Sequence, residues 1–373
     1  MARLVFLLHL LLLYFFCYQL LAEAKVNFEK KSVELNPAIV RHSINTVSNN
    51  VLLTATVLEI DLSSKNISIK VGLPGQENLK VKDYLSNIVK NTMAYVGINA
   101  NFFDVVIGNP LGTLISDKEW LVGPVYNRAA IGFSDDKKIL IGRVMLQGNV
   151  SVYRGFLNKA LFGKFNIDGL NIPYHLYKEV GLYTTNWDEI LVVPENKIAV
   201  AVSNGCIERK KITSIEIPHN GYVLVSDANS VLELLKDGDC LEIQWQTNPN
   251  WSSVVEAISG GPYLIMNGQI FIDVVDERFN FSAKDVHAPR SAIGVGKNEK
   301  LYLIAASGTK NGKSIGLTLE QLAKFLKNLD LKEAINLDGG RSTTLVIGDK
   351  VVNELQDKHE RKISNGLLIF YDN

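Results

Sequence analysis

Residues Val51–Leu62, with the sequence VLLTATVLEIDL, alternate apolar and polar side chains. In an extended chain, Leu53, Ala55 and Val57 would share one face, which is the pattern of a half-buried strand. The same alternation returns at Asn66–Leu73, and short apolar runs bounded by turn residues continue along the chain. The sequence therefore predicts many short strands.

Three segments are expected to form helices: Val81–Val89, Ser230–Lys236 and Leu319–Leu329. The last is the clearest, because Thr318 and Gln321 form a capping-box pair in front of one apolar stripe. No Pro-rich or Ser-rich linker divides the chain. We therefore predict an α+β fold, a single large body of many short strands in mixed sheet with three or four helices.

The first 24 residues have the features of a secretory signal peptide, namely Arg3, the apolar run Leu4–Leu21 and the sequence Ala22-Glu23-Ala24. An uncleaved membrane anchor is the alternative, since this run of 18 residues is just long enough to span a bilayer. The Ala-x-Ala ending favours cleavage. We expect a signal peptide at 1–24, an irregular N-terminal arm at 25–50 and the main domain at 51–373. The mature protein would be secreted or extracytoplasmic, with no stable membrane insertion.

The composition argues against a nucleic-acid partner and against a metal site. The 373 residues include 39 Lys+Arg and 39 Asp+Glu, whereas a nucleic-acid partner would normally require a basic surplus. Beyond the leader only Cys206 and Cys240 remain. In an oxidising compartment they could form a disulfide, or they could be two separate buried thiols. Because two cysteines and scattered histidines make a metal site improbable, we expect no metal and no cofactor.

The first candidate site residues lie where a short apolar run ends, in Gly97–Asp104. Here the run is closed by Asn99, Asn101, Phe103 and Asp104. Amides, an aromatic ring and a carboxylate at the rim of a sheet could bind a sugar. A strand followed by a capped turn is the alternative without function.

Two further groups could bind an anion. Gly260 and Gly261 precede Pro262, and paired glycines let backbone N–H groups approach an anion closely. A tight turn is the alternative. Arg290 stands just before a predicted strand, where an arginine suits bidentate recognition of phosphate. Most arginines, however, only lie on surfaces.

The most site-like stretch is Asn336–Thr344, NLDGGRSTT. Asp338 follows a predicted buried strand, and after it come Gly339, Gly340, Arg341 and Ser342. A carboxylate at a strand end, followed by glycines and hydroxyls, indicates a binding or catalytic site. An Asp-Gly turn in a β-hairpin is the alternative.

Taken in order, these stretches resemble the phosphodiester glycosidase family over about residues 51–371. The resemblance is carried by Asn99–Phe103, Asp168–Asn171 (DGLN), Gly260–Pro262 (GGP), Pro289–Gly294 (PRSAIG), Gly316–Glu320 (GLTLE), Asn336–Gly340 (NLDGG) and Ser364–Leu368 (SNGLL). The chain departs from the family pattern at Ala100 and Asn101, and again at Arg341, where the family usually has glycine. Both departures fall inside the suspected site.

The resemblance implies a reaction and a set of roles. The family hydrolyses sugar-1-phosphodiesters at the anomeric carbon–oxygen bond, so the expected partner is a sugar-phosphodiester on a glycan or cell-surface polymer. Asp338 would be the catalytic carboxylate, Asp168 a second carboxylate and Arg290 the phosphate clamp. The substrate would be contacted by Asn99, Asn101, Phe103, Asp104, Gly260, Gly261, Gly339, Gly340, Arg341, Ser342 and Asn365. Within this set, Asn99 and Asn101 would bond sugar hydroxyls and the glycine amides would donate to the phosphate.

Two other functions compete with this hypothesis. The first is a non-catalytic binder of sugar phosphates or cell-wall polymers, which would keep the pocket and lose turnover. The second is a metal-dependent phosphodiesterase that cleaves phosphorus–oxygen bonds, which would normally need clustered metal ligands. The hydrolase would release free sugar and a phosphomonoester. The binder would give no product, and the phosphodiesterase would give a sugar phosphate.

Overall fold

The computed structural model describes residues 29–48, 51–75, 78–155, 160–310 and 313–372. The expected signal peptide and its cleavage site lie outside these residues. Within the described ranges, we find no helix that is long and apolar enough to cross a membrane.

The described residues form 29 strands, most of them short. In chain order they are β1 (Glu29–Asn36), β2 (Ile39–Ser48), β3 (Val51–Ile60), β4 (Ile67–Gly72), β5 (Val96–Asn99), β6 (Leu114–Ser116), β7 (Glu119–Val122), β8 (Ala129–Ser134), β9 (Ile139–Arg143), β10 (Met145–Arg154), β11 (Ala160–Ile167), β12 (Gly169–Leu170), β13 (Gly181–Tyr183), β14 (Ile190–Val192), β15 (Lys197–Ser203), β16 (Cys206–Lys211), β17 (Ser214–Glu216), β18 (Gly221–Asp227), β19 (Cys240–Asn248), β20 (Val254–Ser259), β21 (Tyr263–Met266), β22 (Gln269–Ile270), β23 (Arg290–Gly296), β24 (Leu301–Lys310), β25 (Lys313–Ser314), β26 (Leu331–Asn336), β27 (Leu345–Ile347), β28 (Lys350–Val351) and β29 (Gly366–Tyr371).

Helices are few and short in the described part of the chain. They are α1 (Leu85–Thr92), α2 (Val231–Leu234) and α3 (Leu319–Asn328), together with 3-10 turns at Tyr174–Leu176, Phe281–Lys284 and Gly340–Ser342. The predicted capping box of α3 is confirmed. The Thr318 hydroxyl accepts the Gln321 N–H, and the Gln321 side-chain oxygen accepts the Thr318 N–H.

The predicted α+β class is wrong, because the protein is mostly β. Half of it is strand and only 9% is helical. The three α-helices have 8, 4 and 10 residues, so each covers part of a sheet and none forms a helical layer. Except for the parallel pair β12–β13, the described strand pairs of these sheets are antiparallel. Alternation with a period of two residues dominates the sequence, and it leaves little room for helices.

The largest sheet has nine strands in the order β1-β2-β3-β24-β23-β26-β21-β22, with β25 paired to β24. Residues 29–48, expected in an irregular arm, supply its first two strands. The register between β2 and β3 runs without a break from Ile39 opposite Ile60 to Ser48 opposite Val51. Ile39 and Ile44 are buried. The polar sequence of β1 does not show the pattern of a strand, because β1 lies at the sheet edge. It is held there by backbone hydrogen bonds, and most of its side chains are exposed.

β14 and β17 form a separate two-stranded sheet, and three other sheets of five or more strands complete the fold. Their orders are β11-β10-β19-β16-β15-β18-β13-β12, β7-β6-β20-β8-β9 and β28-β27-β5-β29-β4. One apolar core joins all four, since Leu58, Ile98, Ile131 and Ala199 belong to the same buried cluster and to four different sheets.

Cys206 and Cys240 are paired in a disulfide. They lie directly opposite each other in the β16–β19 pair. Of the two alternatives that the sequence left open, the structure therefore shows the disulfide, and it closes a separation of 34 residues.

The sheets meet at three chain segments that contain the candidate residues. Gly260–Pro262 links β20 of a five-stranded sheet to β21 of the nine-stranded sheet, and Asp338–Ser342 leaves β26 of the nine-stranded sheet for β27 of the other five-stranded sheet. Asn99 ends β5, which pairs with β27. The hairpin alternative for Asp338-Gly339 is therefore wrong, because the strands on either side belong to different sheets.

Candidate functional site

Asp338 is fixed where β26 ends. Its backbone N–H donates to the Ala100 carbonyl at 3.0 Å, and its own carbonyl accepts the Asn99 side-chain amide at 2.6 Å. The preceding Leu337 N–H donates to the Ser291 carbonyl at 2.8 Å. Three strand ends therefore hold the backbone on which the carboxyl is mounted.

The Asp338 carboxyl has unusual acidity. Burial raises its pKa to about 6, an effect that the Ser342 hydroxyl, the Arg361 charge and the Gly339 N–H partly oppose. The Gly339 N–H donates to Oδ1 at 3.0 Å. The Ser342 hydroxyl faces the carboxyl without a well-formed hydrogen bond to any described group. A carboxyl that titrates near neutral pH can take up and release a proton during a reaction.

Arg290, at the start of β23, is a buried cation without an acidic partner. It is 9% exposed, and burial lowers its pKa to about 10, so it stays charged at neutral pH. Its Nε donates to the Leu317 carbonyl at 2.9 Å and its Nη2 to the Val286 carbonyl at 2.5 Å. No carboxylate among the described residues forms an ion pair with it. Because a buried charge is costly unless it is neutralised, this guanidinium suits a bound anion.

The Asp338 and Arg290 segments face each other through glycines. Gly340 N–H donates to the Pro289 carbonyl at 2.7 Å. A Cβ placed on Gly339 would come within 2.9 Å of the same carbonyl oxygen and 3.8 Å of the Arg290 Cα. The absence of a side chain at Gly339 therefore lets the carboxyl-bearing turn lie against the arginine.

Arg128 is a second cation, and sequence reasoning missed it. Its guanidinium lies 4.2 Å from the ring centroid of Phe279 and 5.2 Å from those of Phe102 and Tyr126. Its Nε is buried without a partner in the described part of the protein, and burial lowers its pKa. The rings of Phe102 and Phe279 come from segments far from Arg128 in sequence, so no local pattern could reveal the whole cluster. Only Phe102, next to predicted site residues, offered a signal.

Glu277 lies near that cluster, and sequence reasoning missed it as well. It is fully buried, and its oxygens accept the N–H groups of Ala129 at 3.1 Å and Tyr263 at 2.9 Å and Arg143 Nη2 at 3.3 Å. Burial raises its pKa. Gly261, at φ +118°, leaves room for it, because a Cβ there would overlap Glu277 Oε2. The oxygens of Glu277 are thus occupied by these groups, while its charge also acts on Arg128.

The predicted sugar-binding amides are occupied by the protein. Asn99 is fully buried, and its oxygen accepts the Ser291 hydroxyl at 2.6 Å. Asn101 Nδ2 donates to the Gly112 carbonyl at 3.2 Å, and its oxygen accepts Asn365 Nδ2 at 3.1 Å. Asn99, Asn101 and Asn365 thus tie strand ends together through these bonds, and their contact with a sugar stays a prediction.

The four glycine amides proposed as anion donors are also engaged. Gly260 N–H donates to the Ala129 carbonyl and Gly261 N–H to the Asn336 carbonyl, at 2.9 and 2.6 Å. As described above, Gly339 and Gly340 donate to Asp338 and Pro289. The glycines therefore permit close packing of segments, and the anion-donor hypothesis for their N–H groups is not supported.

The remaining members of the Asn99–Asp104 group border the site. Phe103 is buried, with Lys82 at 5.7 Å and Arg361 at 5.2 Å from its ring centroid. Asp104 accepts the N–H groups of residues 106 and 107 at 2.8 and 3.0 Å, so its carboxylate shapes a turn. This capped turn is what the alternative without function predicted for Asp104.

Asp168 and Arg341 are not joined to the Asp338 group by any described contact. The Asp168 carboxylate accepts three backbone N–H groups, from residues 178, 179 and 180, at 2.8 to 3.3 Å. Arg341 is exposed and its Nε pairs with Asp357 Oδ2 at 2.5 Å. Asp168 therefore caps a turn in the eight-stranded sheet, and Arg341 forms a surface ion pair.

Comparison with known proteins places this site in a family context. Residues 196–370 match the profile of the phosphodiester glycosidase family. The chain is 30% identical over 159 residues to the human enzyme N-acetylglucosamine-1-phosphodiester alpha-N-acetylglucosaminidase. That match covers 40% of this chain and 29% of the human protein, so it spans less than a third of that relative.

Two solved structures share the fold. A hypothetical protein from Synechocystis superposes with a TM-score of 0.84 at 24% identity, covering 92% of this chain and 64% of the other. The zebrafish N-acetylglucosamine-1-phosphodiester alpha-N-acetylglucosaminidase catalytic domain, auto-inhibited by its pro-peptide, superposes with a TM-score of 0.52 at 19% identity, covering 93% and 89%. At these identities the likeness concerns the fold alone.

Proposed function

We propose that this protein, whose residues 196–370 belong to the phosphodiester glycosidase family, hydrolyses a sugar-1-phosphodiester to free sugar and a phosphomonoester. The observation that carries the proposal is that the turn bearing Asp338, whose pKa is raised to about 6, packs through Gly339 against the backbone of the buried Arg290, which forms no ion pair with an acid among the described residues. A carboxylate and an unpaired cation on these adjoining segments would serve the two ends of the bond to be broken.

In the proposed reaction, Asp338 acts at the anomeric carbon. A water oxygen bonds to this carbon, the carbon–oxygen bond to phosphate breaks with its electron pair going to phosphate, and the Asp338 carboxylate accepts the water proton. The carboxylate also stabilises the positive charge that develops on the sugar ring. Because a phosphomonoester is a good leaving group, a strong general acid is not required. This suits a site in which the buried acid Glu277 has its oxygens occupied.

The phosphate would be held by the two arginines. Arg290 and Arg128 each lack a carboxylate ion pair in the described part of the protein, and the unpartnered Nε of Arg128 is a donor without an acceptor. Charge-assisted hydrogen bonds from such groups strengthen as negative charge grows on the leaving oxygen. The Phe102 and Phe279 rings would keep water from the phosphate.

The proposed site of action is outside the cytoplasm. The Cys206–Cys240 disulfide supports this, since such bonds persist in oxidising compartments. Export through a signal peptide at residues 1–24 is part of the proposal. N-terminal sequencing of protein secreted by its own host would begin at Lys25, and material retaining residues 1–24 would favour the anchor alternative.

Isotope tracing tests the reaction. The substrate is the methyl phosphodiester of N-acetylglucosamine 1-phosphate, chosen because the human relative's name specifies such a diester. Hydrolysis in ¹⁸O-labelled water is expected to give methyl phosphate without label, since the carbon–oxygen bond breaks. Label in the phosphate would instead show the phosphodiesterase, and binding without product would show the non-catalytic binder. Either result overturns the proposal.

A further inference from the structure

A groove beside the candidate site has the lining of a carbohydrate-binding surface. Its volume is about 830 Å³, and its polar lining includes Asn127, Gln147, Gln246, Asn248 and Asp168. This volume lies in the range of ordinary ligand sites, about 300 to 1,000 Å³. We propose that the groove binds a neutral oligosaccharide, the glycan part of the substrate, an inference that rests on the proposed function.

The four amide side chains of the groove are available to a ligand. None of Asn127, Gln147, Gln246 and Asn248 makes a side-chain hydrogen bond to the described residues, and all four are exposed. Gln147 and Gln246 lie directly opposite each other in the β10–β19 pair, so their side chains leave the same face of the sheet. Each amide offers both donors and acceptors, which is what sugar hydroxyls require.

The charge of the groove excludes a phosphate as its main ligand. The described residues that line it include no lysine and no arginine, and Asp168 is the one carboxylate among them. The Asp168 oxygens are taken up by backbone N–H groups of residues 178–180. The rest of the lining is amide, hydroxyl and apolar, including Tyr126 and Leu146. This surface fits an uncharged polar ligand with apolar faces.

Tyr126 connects the groove to the candidate phosphate site. Its side chain lines the groove, and its ring centroid lies 5.2 Å from the Arg128 guanidinium. Tyr126 and Asn127 both have positive φ, +53° and +54°, in a turn closed by Arg128 N–H donating to the Val125 carbonyl at 3.0 Å. With this uncommon backbone conformation, neighbouring side chains of the turn lie at two different sites, the groove and the candidate phosphate site. A phosphate at Arg128 would therefore carry its glycan into the groove.

Binding of the protein to a glycan array tests the inference. The array carries neutral oligosaccharides and, beside them, their constituent monosaccharides. The variants are the double change Gln147→Ala with Gln246→Ala and the matched control Gln244→Ala. Gln244 is also exposed on β19 and lies outside the groove. We expect the full-length protein to bind at least one oligosaccharide about tenfold more tightly than its monosaccharides. The double variant should lose about tenfold, and the control should bind like the parent.

Two results would overturn the inference: no oligosaccharide preferred over its monosaccharides, or undiminished binding by the double variant. Equal loss in the control would also overturn it. Since both altered glutamines are exposed, the melting temperature should be unchanged, and this is measured on the same preparations. Array binding needs no turnover, so a failure of the groove and a failure of the proposed hydrolysis are separate results.

Discussion

The side-chain amide of Asn99 donates a 2.6 Å hydrogen bond to the backbone carbonyl of Asp338. The two residues stand at the ends of strands in different sheets, so this bond ties the carboxyl-bearing turn to the neighbouring sheet. The Asn99 oxygen is bound in turn by Ser291, directly after Arg290. The candidate carboxyl and the candidate cation are therefore positioned by one buried amide.

Arg128 provides the first prediction. Arg128→Gln should lower kcat/KM for a sugar phosphodiester by about 10- to 100-fold, since it removes a charge-assisted contact of about 1.5–3 kcal/mol. Arg128→Lys keeps the charge and should recover part of the loss, but it lacks the planar fork. The measurement is steady-state kinetics with melting temperature as the folding control. Equal activity of the Gln variant and the parent would remove Arg128 from the site.

Arg341 provides the second prediction, and it differs from the substrate contact expected from the sequence. Because its guanidinium is exposed and paired with Asp357, Arg341→Ala should leave kcat/KM within about twofold and the free energy of unfolding within about 1 kcal/mol. Asp357→Asn is the matched control for loss of the ion pair. A large kinetic defect in Arg341→Ala alone would restore Arg341 as a substrate contact.

The sequence could predict which segments meet but not what their side chains do. Strand alternation located β3 and β4, the capping box located α3, and the Asp338 and Arg290 segments do face each other. The protein contacts of Asn99 and Asn101 could not be predicted because an amide that satisfies buried backbone groups and an amide that binds sugar have the same local sequence. Only the sheet register shows which carbonyls need a donor.

Arg128 and Glu277 show a second limit of prediction. Their surroundings also include Phe102, Phe279 and Gly261, and these three residues come from three separate segments, so no single stretch of sequence marks the cluster. The strands at 29–48 were missed for a related reason. The β1 segment is polar because it lies at a sheet edge, so its apolar pattern is weak although it pairs with β2 along its length, with one irregularity between Glu34 and Asn36.

Gly261 provides the third prediction. Gly261→Ala should destabilise the protein by about 2–4 kcal/mol, because φ is +118° and the new methyl group would overlap Glu277 and approach the Phe279 ring to 2.9 Å. The matched control is Gly163→Ala in β11, where no atom lies within 4 Å of the new Cβ. Denaturant unfolding compares the two. Equal stability of both variants would contradict the close packing beneath Arg128.

The pH dependence of turnover provides the fourth prediction. If Asp338 must be ionised to accept a proton, kcat/KM should rise with pH through an apparent pKa of about 6 and level off above it. The phosphodiester itself stays ionised over this range, so the substrate adds no titration of its own. The profile is measured at constant ionic strength. A flat profile between pH 4.5 and 8, which are about the limits of the expected titration, would contradict the role of Asp338.

Asp338→Asn provides the last prediction, and it separates catalysis from structure. The amide keeps the size of the side chain but cannot accept the proton of water, so kcat should fall by several orders of magnitude.

The stability of the Asp338→Asn variant should increase while its kcat falls. Because burial raises the folded-state pKa from 3.8 to about 6, ionisation of Asp338 costs free energy above pH 6. The Asn variant should thus be more stable than the parent at pH 8, by up to about 3 kcal/mol. This gain should shrink as the pH falls through 6 and vanish below 4, where the parent carboxyl is protonated in both states. A carboxylate that merely capped the Gly339 turn would give the reverse, with kcat unchanged and about 1 kcal/mol of stability lost. Melting curves at pH 4, 6 and 8 and kcat on the same preparations decide between these two accounts.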